Sequence, residues 1–261
     1  MGDADFPEGY TRFSVETTSV VCVTHLTAPI RQALREGTLF HYAERHPQAR
    51  ALAGRGVVYA VPLPGDADRV VVRHNRHGGL LAPLTRDLFR APTRAPRELR
   101  ISERLREYGI ATPPILGYAI YDAVAGFRRA DVMTREIPNS VDLSSAFMSL
   151  DASYRAAAVV AAADLVLALS NAGAHHADLN VKNILLRRRD DGSLEALVLD
   201  VDCVTFDEPE IVFELNLARL QRSARKWQTR HGAPVTDTEL DELAGLVRER
   251  RTAPTRLSTS S

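Results

Sequence analysis

Lysine is almost absent from this chain of 261 residues. Only Lys182 and Lys226 are lysines among its 33 basic residues, and the rest are arginines. Cysteine is just as scarce, since Cys22 and Cys203 are the only two, which excludes a disulfide framework and favours a reducing compartment. An excess of charge is also missing, because 33 acidic residues balance the basic ones. We therefore expect neither a wholly basic protein nor a nucleic-acid partner.

A long hydrophobic run is lacking as well. The longest one, residues 156–169, contains Asp164 and is shorter than the roughly 20 residues of a membrane-spanning helix. The first five residues are acidic and not apolar, so we expect no signal peptide. The chain does have 45% hydrophobic and 25% charged residues, which is typical of folded soluble proteins. Its length suits one large domain or two small lobes.

The hydrophobic pattern differs between the two halves. In the first half, short β-branched runs at 57–61 and 70–72 flank a Pro-Gly-Asp turn, which predicts a hairpin. The one prominent helix predicted there spans residues 97–108. In the second half, Asp151 is placed to cap a helix that is apolar almost all round, as in the buried centre of a helical lobe.

These patterns predict an α+β protein with two lobes. Residues 1–138 form a β-rich N-terminal lobe, and residues 139–250 form a helical C-terminal lobe. Residues 1–37 are an extension of unknown role within the first lobe. Residues 251–261 are rich in Ser and Thr and are expected to be a disordered tail.

The most informative segment follows the apolar helix. It reads His176-Ala-Asp178-Leu-Asn-Val-Lys182-Asn183 and fits H-x-D-L-x-x-x-N, the pattern of kinase catalytic loops. Phosphoryl transfer needs a carboxylate beside the acceptor hydroxyl and an oxygen ligand on Mg²⁺. Because one short loop supplies both, we predict that Asp178 is catalytic and that Asn183 binds the metal.

A further carboxylate follows the second apolar run after the motif. Asp200 follows residues 197–199, and a strand that ends in an aspartate is where kinases present their main Mg²⁺ ligand. Asp202 either adds a metal contact or fixes the loop. Taken singly, each residue is also explained as a turn, a cap or a strand end. The order of loop, strand, Asp-Gly turn, strand and aspartate favours a kinase site.

The first half offers a counterpart in Arg73 and Glu98. Glu98, Ile101, Leu105 and Tyr108 lie on one predicted helix stripe that faces inward, where a carboxylate needs a partner. Arg73 ends the preceding strand and is the candidate. Kinases use a strand lysine and a helix glutamate in such places to hold the nucleotide phosphates. The alternative is that Glu98 reaches water and pairs with Arg94 or Arg104.

Two weaker features precede and surround this pair. Gly54 and Gly56 resemble a loop that covers nucleotide phosphates, although Tyr59 stands where a third glycine is expected, and a simple turn is an equal explanation. Residues 69–106 contain ten arginines and three acidic residues. This cluster is either a solvated basic face or a contact with an anionic acceptor and lipid phosphates.

Together these residues resemble the lipopolysaccharide-core kinases, and among them the 3-deoxy-D-manno-octulosonic acid (Kdo) kinases. The similarity runs from about residue 38 to about residue 228, and its most family-specific part is the Arg-His-x-x-x-Gly-Gly stretch that begins at Arg73. The other matching stretches are 54–56, 97–105, 176–186, 200–202 and 216–220.

The resemblance implies a protein-kinase-like fold and an ATP-dependent sugar kinase. It would phosphorylate a hydroxyl of Kdo on a lipid A precursor, as a peripheral protein on the anionic, cytoplasmic face of the bacterial inner membrane. ATP and Mg²⁺ are the implied cofactors. The implied roles are a base or orienting carboxylate at Asp178, metal ligands at Asn183 and Asp200, and a phosphate-clamp pair formed by Arg73 and Glu98. In kinase folds the loop histidine is structural, which is the role expected for His176. From their places in the sequence, Gly54 and Gly56 are assigned to the nucleotide phosphates and Lys182 to a phosphate or acceptor contact.

Two alternatives to a Kdo kinase remain open from the sequence. The first is a kinase of the same fold that acts on another acceptor, such as a core heptose, another small molecule or a protein. The second is a pseudokinase, which the substitution of arginine for the usual strand lysine at position 73 would suit. The intact set of Asp178, Asn183 and Asp200 argues against the second alternative.

Overall fold

A computed structural model describes residues 6–52, 57–65, 68–75, 88–89 and 92–252. These residues divide into two compact units. The first ends at Arg104 and resumes over Pro113–Ile137, and the second combines Leu105–Thr112 with the chain from Pro138 onward. The division between Ile137 and Pro138 lies one residue from the boundary expected at 138. Residues 105–112, however, belong to the second unit, although the sequence placed them in the first lobe.

Within its described residues, the first unit is built on an antiparallel sheet of seven strands in the order β1-β2-β6-β7-β5-β4-β3. The predicted hairpin is confirmed, because β4 and β5 pair in antiparallel register. The elements of this unit are β1 (Tyr10–Val15), β2 (Thr18–Val23), α1 (Thr27–Ala33), α2 (Leu39–Arg45), β3 (Arg50–Leu52), β4 (Val58–Pro62), β5 (Arg69–His74), α3 (Ala95–Glu107), β6 (Ile115–Asp122) and β7 (Arg128–Arg135).

Both faces of this sheet are buried. Side chains alternate across a strand, so Val20 and Cys22 of β2 join the core formed with α1 and α2, whereas Val21 joins the core formed with Leu99 of α3. A strand that is covered on both faces reads as a continuous apolar run, which is why residues 20–23 lack alternation.

The N-terminal extension is an integral part of the sheet. β1 pairs with β2, and β2 pairs with β6. The close approach of β2 and β6 requires Gly117, since a Cβ there would lie 2.7 Å from the Val21 carbonyl oxygen. Residues 10–37 therefore complete the sheet and its helical cover. No role could be assigned to this segment from the sequence, because β6, the strand with which β2 pairs, lies about 100 residues further along the chain.

The second unit combines long helices with small sheets. β10 pairs with β11 and with β8, and β9 pairs with β12. Its elements are β8 (Ser140–Asp142), α4 (Leu143–Phe147), α5 (Ala152–Asn171), β9 (Ala174–His176), β10 (Ile184–Arg188), β11 (Leu194–Val198), β12 (Val204–Phe206), α6 (Pro209–His231) and α7 (Asp237–Thr252).

Helix α5 is the core of this unit. Asp151 caps it as predicted, because its carboxylate accepts hydrogen bonds from the backbone N–H groups of Ser153 and Tyr154. The helix packs against α6, α7 and β11. By length and composition alone its 20 residues would be able to cross a membrane, so the sequence argument from run length was too strict; half of that segment is buried by protein.

The C-terminal helix extends beyond its predicted end. Arg251 and Thr252 belong to α7, so the expectation of a disordered tail from residue 251 is wrong at its start. Arg251 binds Glu210 and lies over the ring of Phe213, and cationic side chains are favourable in the last turn of a helix. The sequence did not reveal these contacts because both partners lie about 40 residues earlier. Residues 253–261 lie outside the described residues.

Candidate active site

The loop of the kinase motif is held at both ends by strands of the second unit. His176 ends β9 and pairs with Val204 of β12, while Ile184 begins β10 and pairs with Val198 of β11. The backbone N–H of Leu199 donates to the carbonyl of Asn183 at 2.9 Å. The end of β11 is thereby joined to the end of the loop, which places Asp200 beside the motif.

His176 holds the start of the loop in place through hydrogen bonds. It is fully buried, its Nε2 lies 2.9 Å from the carbonyl oxygen of Leu199, and its backbone N–H donates to Oδ1 of Asn216 at 3.0 Å. Because Nε2 faces a carbonyl, the hydrogen-bond network assigns the ring proton to that nitrogen. Burial lowers the pKa of His176, which favours the neutral ring. These contacts support the structural role that the resemblance implied.

Asp178 is held through both its backbone and its side chain. The side-chain amides of Asn180 and Asn183 donate to its carbonyl oxygen at 2.9 and 3.0 Å. Its carboxylate oxygen Oδ1 accepts a hydrogen bond from Nη2 of Arg219, and the two side chains form an ion pair. The carboxylate of the predicted base is therefore fixed by a residue of α6.

The two predicted metal ligands, Asn183 and Asp200, lie on neighbouring segments of the backbone, which are joined by the hydrogen bond between Leu199 and Asn183. Asn183 donates through its amide nitrogen Nδ2, which leaves the amide oxygen as the ligand atom. Asp200 has a left-handed backbone conformation, with φ 53° and ψ 48°, where the chain turns out of β11. An amide and a carboxylate oxygen suit Mg²⁺, which keeps several waters and needs few protein ligands. Within the described residues, no group of three or more His, Cys, Asp or Glu side chains forms a separate metal site.

Cys203 lies among the acidic residues of the site. Its Sγ is 3.4 Å from Nδ1 of His176 and 3.5 Å from the carbonyl oxygen of Asp200. Burial raises the pKa of the thiol, and the charges of Asp202, Asp178 and Asp200 raise it further. The thiol is half-buried.

Lys182 makes contacts within the second unit. Its Nζ donates to Oδ2 of Asp142 at 3.1 Å and lies 5.0 Å from the centre of the Trp227 ring. Asp142 also caps α4 through Ser144 and Ser145. Burial alone would raise the pKa of Asp142, but these hydrogen bonds outweigh burial and lower it. The structure thus shows Lys182 anchoring the loop, a contact that the motif did not suggest.

The first unit contains the expected arginine–glutamate pair. Nη2 of Arg73, at the end of β5, donates to Oε1 of Glu98 in the first turn of α3, and Nη1 lies 3.5 Å from Oδ1 of Asn75. Glu98, Ile101 and Leu105 are buried as the helical spacing predicted, but Tyr108 is 52% exposed. Tyr108 departs from the stripe because α3 ends at Glu107.

Other predicted features of the first half lie outside the described residues. Gly54 and Gly56 are among these, and so are residues 76–87, which contain the Gly-Gly pair and part of the arginine-rich stretch.

The sequence reasoning missed the part played by α6. The side chain of Asn216 donates to the Ala174 carbonyl at 2.9 Å and accepts from the His176 N–H, and Ser223 Oγ accepts from the Val181 N–H at 3.2 Å. With Arg219 these residues form a polar stripe at i, i+3 and i+7. That spacing was readable, but polar stripes usually face solvent, so it did not mark a loop contact.

Comparison with known proteins identifies relatives across most of the chain. The model of the lipopolysaccharide kinase (Kdo/WaaP) family matches residues 49–240. A 3-deoxy-D-manno-octulosonic acid kinase of Pasteurella multocida is 31% identical over 191 residues, which cover 70% of this chain and 78% of the relative. The enzyme of the same name from Vibrio vulnificus strain YJ016 is 31% identical over 198 residues, which cover 73% and 78%.

The fold has a counterpart among solved structures. The structure described as WaaP in complex with acyl carrier protein aligns with a TM-score of 0.53 and 18% identity, over 85% of this chain and 87% of that one. At this identity the similarity bears on the fold alone, and it agrees with the protein-kinase-like fold expected from the sequence.

Proposed function

The chain belongs to the lipopolysaccharide kinase (Kdo/WaaP) family, and on this basis we propose that it transfers a phosphoryl group from ATP to a hydroxyl of Kdo on a lipid A precursor. The observation that carries the proposal is the loop that brings Asp178 and Asn183 beside Asp200. The curated relatives named above support Kdo as the acceptor sugar.

Several residues are suited to binding the phosphates of ATP. Bound Mg²⁺, held by Asn183 and Asp200, would neutralise charge on the phosphates of ATP. Arg73 has the planar donor fork that binds phosphate oxygens in pairs, and Glu98 holds this fork in position. Gly54 and Gly56 are assigned to the nucleotide phosphates from the sequence pattern. Lys182 is assigned a phosphate or acceptor contact at the end of the loop, where its side chain is partly exposed.

Asp178 acts on the acceptor. As the acceptor oxygen bonds to the γ-phosphorus and the bond to ADP breaks, the hydroxyl proton passes to the Asp178 carboxylate. Orientation of the hydroxyl supplies most of the effect, because phosphoryl transfer depends chiefly on positioning and charge. No covalent enzyme intermediate is needed.

Association with an anionic membrane surface is part of the proposal. Arg97, Arg100 and Arg104 are exposed and lie at i, i+3 and i+7 on α3, so they share one helix face. Arginines near a bilayer surface are attracted to anionic lipid, by about 1 kcal/mol each. We propose that this face approaches the cytoplasmic leaflet that contains the lipid acceptor. Flotation with vesicles of anionic and of neutral phospholipid tests it, and equal binding of wild type and Arg97→Glu/Arg100→Glu to anionic vesicles would contradict it.

The acceptor is tested with purified protein, Mg²⁺ and ATP labelled in the γ-phosphate. We expect label on a Kdo-containing lipid A precursor, and mass spectrometry should find one added phosphate on the Kdo residue. The matched control is the same precursor without Kdo, which should stay unlabelled. Label on a core heptose or on another acceptor, with none on Kdo, would replace the acceptor and retain the kinase.

A further inference from the structure

Side chains on one face of helix α6 contact successive residues of the catalytic loop. Asn216 binds the backbone at 174 and 176, Arg219 binds Asp178, and Ser223 binds the backbone at 181. One turn further, Trp227 lies under the ammonium group of Lys182. The order of residues on the helix matches their order in the loop. The helix therefore supports the loop along its length, and Arg219 is the member of this stripe that contacts the predicted base.

The environment of Arg219 directs it toward Asp178. Among the described residues the Asp178 carboxylate is its one hydrogen-bonding partner, and its buried Nε has none. A buried donor without a partner costs about 1–3 kcal/mol. The side chain nevertheless stays where Nη2 reaches Asp178 Oδ1. Contact with the carboxylate therefore explains this placement better than packing does.

We propose that Arg219 is a positioning residue for phosphoryl transfer, and that it acts by fixing the plane of the Asp178 carboxylate. The proposal rests on the proposed function of Asp178. A carboxylate on a short side chain can rotate about two bonds, and a guanidinium on a rigid helix restricts both rotations. A misplacement of about 1 Å at a reacting group can cost about 100-fold in rate. In the proposed mechanism Arg219 touches neither substrate, so its effect passes through Asp178.

A double-mutant cycle between Arg219→Gln and Asp178→Asn tests this coupling. We expect Arg219→Gln alone to lower kcat by about 10- to 100-fold while KM for ATP changes by less than about twofold. Arg219→Lys keeps the charge and one donor, and should recover part of the loss. If Arg219 acts only through Asp178, the double variant should be no slower than Asp178→Asn alone, within about twofold.

The control is Arg222→Gln, an exposed arginine one turn further along the same helix, which should retain wild-type kcat and melting temperature. Losses in kcat that multiply in the double variant would overturn the proposal, as would an Arg219→Gln variant with unchanged kcat. Wild-type transfer to Kdo tests the proposed function separately. If wild type prefers another acceptor, the cycle is run on that acceptor, and if no acceptor is found, on the release of phosphate from ATP to water.

Discussion

The two units each contain an arginine that binds a carboxylate, but the two pairs differ in burial. In the first unit the side chain of Glu98 is 4% exposed and that of Arg73 is 25% exposed. In the second unit Asp178 is 30% exposed and Arg219 is 38% exposed. A buried charge depends on its partner to remain in the protein, whereas a half-exposed one is partly stabilised by water. The first pair should therefore matter for folding as well as for ATP, and the second mainly for catalysis.

The largest expected effect is the loss of kcat when the carboxylate of the more exposed pair, Asp178–Arg219, is removed. Asp178→Asn removes the proton acceptor but keeps the shape of the side chain, so kcat should fall by about 10²- to 10⁴-fold. Binding of ATP, followed with a fluorescent analogue, should remain within about threefold of wild type. A variant that retains most of its turnover would show that Asp178 is not the base. Wild-type protein without any turnover would instead favour the pseudokinase alternative.

Breaking the buried pair should mainly lower stability. Arg73→Ala leaves the Glu98 carboxylate buried without its cation, so the free energy of unfolding should fall by about 3 kcal/mol, as measured by urea denaturation. Arg73→Ala/Glu98→Gln should recover part of this loss because no charge is left unpaired. Arg100→Ala on the exposed face of α3 serves as the control. An unchanged unfolding midpoint for Arg73→Ala would contradict the distinction between the two pairs.

His176, which holds the catalytic loop, should make the stability of the protein depend on pH. The pKa of His176 is lowered in the folded state by burial, so the unfolded chain binds the proton more strongly. Its contribution to stability is present above the unfolded pKa of about 6.5 and is lost as pH falls below it, by at most about 1.4 kcal/mol per pH unit. Denaturation between pH 7.5 and 5.5 measures this loss. The His176→Gln variant should show a smaller decrease over this range, and an equal decrease would assign it to other groups.

The smallest effect should be that of Arg219 on stability. Ion pairs exposed to this extent contribute about 0–1 kcal/mol, so Arg219→Gln should unfold within about 1 kcal/mol of wild type. The same denaturation curves measure this change beside that of Arg73→Ala. A loss as large as that caused by Arg73→Ala would make the two pairs equivalent and would identify Arg219 as a residue of the fold.

Most of the features that could be predicted from the sequence depend on residues close together in the chain. The β4–β5 hairpin, the cap at Asp151 and the pairing of Arg73 with Glu98 follow from local sequence patterns or from the need of a buried charge for a partner. The catalytic loop was recognisable because its chemistry lies within eight consecutive residues.

Contacts between distant segments were not predictable in this way. The place of β1 depends on pairing with a strand that itself pairs with β6, about 100 residues later. The Asp178–Arg219 pair joins residues 41 positions apart, and a single arginine among 31 carries no local signal of its partner. The scarcity of lysine had one visible consequence, since arginine stands at position 73, where kinases use lysine. Its planar fork suits both the buried glutamate and a phosphate.

The stripe on α6 restricts which changes in chain length the protein can tolerate. Each residue of an α-helix advances the side chain by about 100°, so one residue inserted between Asn216 and Ser223 would turn the later half of the stripe away from the loop. The hydrophobic face of the helix would be rotated by the same angle. Substitutions can be accommodated one position at a time here, but an insertion or deletion shifts every later contact at once. Length variation in this lobe is therefore expected in the turn between β10 and β11, at residues 189–193, where the chain is exposed.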